Sequence, residues 1–393
     1  MIKITKKELC NGCHACLNIC PIQCIQMKVD SEGFKYPEVD YDKCIKCGLC
    51  IEVCPLIEPQ KIEKENPKAY ACFNKDEKIR MESSSGGIFT LLAEEIINSG
   101  GVVFGAGWNK NLELKHSFVE TVEDLNKFRG SKYLQSKIGF TFTQTLEFLK
   151  KDKKVMFTGT PCQIGGLKYF LDKKLNKDQM KNLLCIDFIC HGVPSPKVFK
   201  KYLEYQEKES NSKTERIAFR LKNEGWKLYS VLLLFNNNTE YRKQFRNDLY
   251  MNAFLSDIDL RPACYDCGFK TKNRISDITM GDFWGIQNMK PDLDDDKGTS
   301  LILIHSKLGN KYYSTISTNI ISEEVDVDEA LKYNSAAIKS VKLNSKREEY
   351  FKNLDSMTFE ELHNKYVKLG LGIRVKNKGR RYVGAILRKL KLR

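Results

Sequence analysis

The chain has 393 residues, of which 41% are hydrophobic and 29% charged, and its formal net charge is +15. This composition is ordinary for a soluble globular protein with a sizeable core, and the length points to two or three domains. No run of about 18 apolar residues occurs, which excludes a spanning helix, and the opening MIKITKKELC lacks the apolar stretch of a secretory signal. The expectation is a cytoplasmic protein.

The first element is a cysteine framework. The chain has 15 cysteines, and nine lie between Cys10 and Cys54. A disulfide scaffold does not suit a long chain without a signal, so metal binding in a reducing compartment is the better reading. Cys10, Cys13, Cys16 and Cys20 form C-x2-C-x2-C-x3-C, followed by Pro21; Cys44, Cys47, Cys50 and Cys54 repeat it, followed by Pro55. This is the run of bacterial two-cluster ferredoxins, in which the fourth cysteine of each run crosses to the other cluster. Cys10, Cys13, Cys16 and Cys54 are therefore expected to hold one 4Fe-4S cluster, and Cys44, Cys47, Cys50 and Cys20 the other. Zinc prefers one closed four-ligand set, and thiolate-only ligation fits iron–sulfur. Between the runs, residues 25–40 are expected to form two short strands around a turn at Asp30–Gly33. Cys24 falls outside both runs and is expected to be packing.

A charged linker with Pro59 and Pro67 follows, so the ferredoxin part is expected to be an electron-entry module occupying 1–60. The remainder reads as α/β or α+β with a mixed sheet. Strands are expected at 102–108, 154–158, 183–190 and 300–305, with neighbouring antiparallel strands in RIAFRLK, YSVLLLF and TEYRKQF. A helix is expected within Ser85–Gly100 and another at Val198–Gln206. Cys162 follows a strand at an expected helix start, where the helix terminus favours a thiolate. Cys190 ends a strand, and Cys264 and Cys267 form C-x2-C. Taken alone, these are a reactive thiol, a buried cysteine and half of a zinc site. Cys72 and Cys185 lie in apolar runs and are expected in the core.

The stretches SSSGGIFT (Ser83–Thr90), RGSKYLQS (Arg129–Ser136), TGTPCQIGGL (Thr158–Leu167), CHGVPSP (Cys190–Pro196) and RPACYDCGFKTKNRISDITMGDFWG (Arg261–Gly285) resemble the beta subunit of coenzyme F420-reducing hydrogenase and its relatives. Those relatives include a plant 7-hydroxymethyl chlorophyll a reductase and the beta subunits of deazaflavin-linked formate dehydrogenase and sulfite reductase. The resemblance implies a domain at 69–325 that holds FAD beside a third 4Fe-4S cluster, with Cys162, Cys190, Cys264 and Cys267 as its ligands. It also raises three glycine- and serine-rich turns as flavin contacts, since backbone N–H groups at such turns cradle phosphate. They are Ser85, Gly86 and Gly87; Gly130, Ser131 and Lys132; and Thr158, Gly159 and Thr160. Asp282 and Trp284 of GDFWG are expected at the flavin, and His191 is the candidate catalytic residue, moving a proton nearby. No G-x-G-x-x-G follows a strand, so direct nicotinamide binding lacks support.

The last segment, 326–393, is expected to be a helical, basic extension. From Lys365 to Arg393 there are 11 basic residues and no acidic ones, with Tyr382, Ile386 and Leu390 at spacings of four. A basic amphipathic helix of this kind suits peripheral contact with an anionic membrane or an acidic partner. No nucleic-acid reading module accompanies the charge. The sequence thus points to a flavin and iron–sulfur oxidoreductase. It would join an electron-transfer protein or partner subunit to an organic small-molecule substrate, either coenzyme F420 or a substrate of surface-polysaccharide metabolism. The competing reading is an electron-transfer adaptor without a substrate of its own.

Overall fold

The computed structural model describes residues 1–59 and 66–368. The expected amphipathic helix with Tyr382, Ile386 and Leu390 lies outside the described residues. No described helix is long and apolar enough to cross a membrane.

The N-terminal unit is built on one hairpin. β1 (Ile25–Val29) and β2 (Lys35–Val39) pair antiparallel from Ile25 opposite Val39 to Val29 opposite Lys35. Asp30 closes the turn by accepting from the Glu32 and Phe34 amides, and Gly33 supplies a φ of +90°. An aspartate that bonds its own following backbone is a built-in turn former. Each cysteine run winds into a short helix that starts one residue before its third cysteine, Ala15–Ile19 around Cys16 and Leu49–Glu52 around Cys50.

The second unit contains an eight-stranded mixed sheet. Its strands are β3 (Lys68–Asn74), β4 (Val102–Trp108), β5 (Leu114–Val119), β6 (Val155–Gly159) and β7 (Leu183–Phe188), joined by β11 (Ile278–Asp282), β12 (Ser300–Ile304) and β13 (Ile320–Val325). The order across the sheet is β13-β3-β12-β11-β7-β6-β4-β5. β4, β6, β7 and β11 run parallel, while β12 runs antiparallel to both β11 and β3. β3 therefore points the same way as the parallel group, and five strands present their carboxyl ends along one edge. A smaller antiparallel sheet holds β8 (Thr214–Leu221), β9 (Ser230–Phe235) and β10 (Glu240–Gln244).

Alternation along the central strands feeds two cores. Val103, Met156, Leu184 and Ile186 face the helix Ile88–Asn98. Phe104, Phe157 and Cys185 face the other way, with Phe142, Ile164 and Phe170 from the helices Thr141–Lys150 and Pro161–Asp172. That second core also contains Ile2, Ala15, Ile19 and Val53 of the N-terminal unit. The ferredoxin-type unit is thus joined to the sheet by a shared apolar core.

The sequence reading passed over β5, β11, β13 and the helix Thr141–Lys150. β11 is short and ends in the polar Gly281-Asp282, so no apolar run marks it. The part of the last segment that is described packs back on the body. Tyr350, Leu354, Phe359 and Leu362 are buried with Tyr202 and Tyr250. Arg347 grips Glu32 of the N-terminal hairpin at 3.1 and 2.6 Å.

Gly166 shows how tight the seam between the units is. A Cβ there would lie 2.9 Å from Cys13 Sγ and 3.0 Å from Cys13 Cβ. Helix propensity alone would make Gly166→Ala stabilising by up to about 1 kcal/mol. Overpacking of a close contact costs about 1–3 kcal/mol and should win. Thermal unfolding of the full chain should therefore shift to lower temperature in Gly166→Ala; an upward shift would show that the seam is looser than described.

Candidate functional site

The cysteines meet around three cavities. Cys10, Cys13, Cys16 and Cys54 line the first, with Asn11 and His14. Cys20, Cys44, Cys47 and Cys50 line the second, with Cys24 beside them and its sulfur 3.4 Å from that of Cys20. Cys162, Cys190, Cys264 and Cys267 line the third, with Asn11, His191, Arg261, Lys270 and Arg274. Cys72 and Cys185 are fully buried away from all three linings.

Local structure explains how the third set assembles. Thr160 caps the helix Pro161–Asp172 through a capping box with Gln163, and Pro161 occupies its first position. Cys162 is thereby fixed just beyond the carboxyl end of β6. Cys190 lies two residues beyond β7, the next parallel strand. Cys264 ends a tight turn in which its amide donates to the Arg261 carbonyl at 2.9 Å, and the Cys267 amide donates to Ser340 Oγ at 2.9 Å. The site occupies the carboxyl edge of the parallel strands, the usual ligand position in open α/β sheets.

The donor set fits cubane clusters. No carboxylate lines any of the three cavities. Among the described residues, no three His, Cys, Asp or Glu side chains close around a point that a single ion would fill. Burial pushes the Cys13 thiol up to about 12, Cys190 to about 11 and Cys264 to about 12. Cys162 rises well above its ordinary value for the same reason, which overrides the helix terminus expected to favour its thiolate. Buried thiols this close become thiolates together only when bound metal neutralises them, and soft thiolates suit iron–sulfur.

The expected flavin residues fall at the serine–glycine turns, at the end of β6 and at the end of β11. Ser84 Oγ accepts from the Ser131 amide at 2.6 Å, which joins the Ser85–Gly87 turn to Gly130–Lys132. Gly86 has room for no Cβ, because Ser300 Oγ and the Phe73 backbone lie within 3.0 Å of it. Gly87, at φ +83°, opens the helix Ile88–Asn98. Lys132 is turned inward onto the Phe128 and Arg129 carbonyls, and burial pushes its ammonium down to about 7. Thr158 Oγ1 donates to the Phe104 carbonyl, and Gly159 and Thr160 lead from β6 into the Cys162 helix.

Asp282 ends β11 and binds Arg220 at 3.0 Å and the Trp226 indole N–H at 3.1 Å. Trp284 is 36% exposed and stacks on Trp226, with ring centres 4.8 Å apart and planes 4° from parallel. Arg220 also lies over the Tyr229 ring at 4.1 Å, and Lys222 donates to the carbonyls of Arg80, Ser85 and Lys297. Lys222 thus ties the serine–glycine turn to the Asp282 group. Arg220, Lys222 and Trp226 were missed from sequence; the available signal was Arg220 and Lys222 at alternate positions late in RIAFRLK. His191 stands in the wall of the third cysteine cavity, its Nε2 2.6 Å from Asp257 Oδ1.

Comparison with known proteins finds two family matches along the chain. Residues 152–330 match the family model for the C-terminal region of the coenzyme F420 hydrogenase/dehydrogenase beta chain, and residues 9–56 match a 4Fe-4S dicluster domain. One subunit of the F420H2 dehydrogenase of Methanosarcina mazei is 23% identical over 51% of this chain and 60% of its own length. The chain therefore spans less than two thirds of that relative. An uncharacterized protein of Methanocaldococcus jannaschii is 26% identical over 85% of this chain and 94% of its own length. A chain of the F420-reducing NiFe hydrogenase complex from Methanosarcina barkeri aligns over 71% of this chain and 92% of its own, with a TM-score of 0.47 and 18% identity. Over residues 152–330 the chain thus carries the C-terminal region of the coenzyme F420 hydrogenase/dehydrogenase beta subunit family, and a 4Fe-4S dicluster domain precedes it at residues 9–56.

Proposed function

We propose that this chain is an iron–sulfur flavoprotein oxidoreductase. In this reading, single electrons pass through three 4Fe-4S clusters to FAD, where an organic substrate exchanges two electrons. The observation that carries the reading is the third cavity. Four cysteines from three separate segments ring it at the carboxyl edge of the sheet, and Asn11 lines both it and the first cavity. Arg261 lines the third cavity and places its guanidinium 3.6 Å from Cys10 Sγ.

These contacts support an order for the relay. Cys47, of the second set, is exposed, so that cluster would meet the external one-electron donor. The first cluster lies at the seam and would hand electrons inward. The third would adjoin a flavin held by Ser85–Gly87, Gly130–Lys132 and Thr158–Thr160, with Asp282 and Trp284 at its other side. Bound FAD supplies the step between one-electron and two-electron transfer. The protein contributes orientation and a partly buried setting: Asp282 is fixed by Arg220 and Trp226, and Trp284, stacked on Trp226 and 36% exposed, leaves ring surface for stacking.

The relative from M. mazei is named as part of an F420H2 dehydrogenase, which supports a partner redox subunit and makes coenzyme F420 the first substrate to test. Nicotinamide is the proper control.

Anaerobically reconstituted protein should hold about 12 irons per chain, and Cys162→Ser should lose one cluster's share while keeping about eight. A wild-type value of about eight would remove the third cluster from this reading. Trp284→Ala should keep its iron yet bind FAD about 3–10-fold more weakly, the worth of one aromatic stack, measured by equilibrium dialysis. Wild-type protein that binds no flavin would leave the electron-transfer adaptor as the function.

A further inference from the structure

The walls of the three cavities differ in charge, and the difference falls on one residue. A cubane on four thiolates carries about two negative charges, and reduction adds one more. Away from water, the added charge is costly unless a cation stands beside it. Four basic side chains line the third cavity: His191, Arg261, Lys270 and Arg274. Two of them already face a carboxylate, His191 facing Asp257 at 2.6 Å and Arg274 facing the buried Asp187 at 3.4 Å. Arg261 is shared with Cys10 of the first set.

Lys270 is different. Its ammonium donates to the backbone carbonyls of Cys190, of His191 at 3.5 Å and of Ala336 at 2.6 Å. It is thereby locked against the third set by neutral acceptors. The first cavity has no counterpart, since no lysine or arginine lines it and the cation that reaches its cysteines is the shared Arg261. The second has Lys46, which is exposed and screened by water.

We propose that Lys270 is a positioning residue for charge that makes the third cluster the electron sink of the chain, so that electrons run from the ferredoxin-type unit inward. This rests on the three-cluster reading given above. Each step moves one electron and breaks no bond: the first cluster is oxidised as the third is reduced. The electrons originate in an external one-electron iron–sulfur donor, and two arrivals complete one exchange at the flavin.

The test is a redox titration of the full chain with dithionite, followed by electron paramagnetic resonance. The third cluster's signal is identified as the one lost in Cys162→Ser. In wild type it should appear before that of the first cluster. Lys270→Gln should shift the equilibrium between first and third clusters at least tenfold toward the first, and Lys270→Arg should leave it near wild type. With about 12 irons bound, a third cluster that is reduced last in wild type, or a Lys270→Gln equilibrium unchanged, overturns the proposal alone. About eight irons in wild type overturns the underlying reading and this proposal with it. If Lys270→Gln sheds its cluster, the wild-type order still decides.

Discussion

Arg261 joins the two halves of the molecule. It is 1% exposed, yet it keeps a cationic side chain at the seam. Its Nε donates to the Cys10 carbonyl at 2.6 Å, and its Nη groups donate to the Lys35 carbonyl at 2.9 Å and Gln135 Oε1 at 3.1 Å. The Tyr36 ring packs against it at 4.4 Å. A buried cation needs both its hydrogen bonds and a counter-charge. Neutral acceptors supply the first, and Cys10 Sγ, 3.6 Å from the guanidinium, would supply the second when it ligates a cluster. The N-terminal unit must sit where it does for this guanidinium to be satisfied. Gly12, at φ +66°, makes the approach feasible, since a Cβ there would stand 2.9 Å from Arg261 Nη1.

The same residue begins the turn that carries Cys264 and Cys267. One short segment therefore holds the ferredoxin-type unit and shapes the third cavity. The sheet supplies the rest. Parallel β6 and β7 end side by side, so Cys162 and Cys190 arrive together without any local signal linking them. β11 ends one strand further along and delivers Asp282 and Trp284. The antiparallel β12 then returns beside it, placing Ser300 where its hydroxyl accepts from the Gly86 amide at 2.9 Å. A chain of short contacts along one sheet edge thus runs from the cysteine cavities to the serine–glycine turn.

Much of this was legible from sequence where the chemistry is local. Cysteine spacing in a loop fixes which sulfurs can face one point, and the grouping of Cys54 with the first triplet and Cys20 with the second follows that rule. Apolar runs marked β4, β6, β7 and β12 because these strands are covered on both faces. Of the strands that escaped, β5 and β13 lie at the sheet edges, where one side meets solvent and the apolar signal thins, while the interior β11 is short and ends in Gly281-Asp282. Burial, a tertiary property that no local pattern encodes, pushes the Cys162 thiol up at the same helix start. Arg220, Lys222 and Lys270 carried no motif; a lone cation in a strand or loop looks like a solvated surface until its partners are known.

By itself, the sequence determined two things: a pair of thiol-rich loops able to grip cubane clusters, and the set of motifs that marks the family. Both depend on residues close in the chain, where spacing translates directly into geometry. Only the tertiary structure decided which distant groups share a site. It brought Cys162, Cys190, Cys264 and Cys267 to one cavity, set Asn11 and Arg261 between that cavity and the first, and gave Lys270 neutral partners on the third side alone. The reason is that burial, dielectric and the pairing of charges are set by what packs across a sheet edge or a domain seam, and no spacing along the chain encodes them.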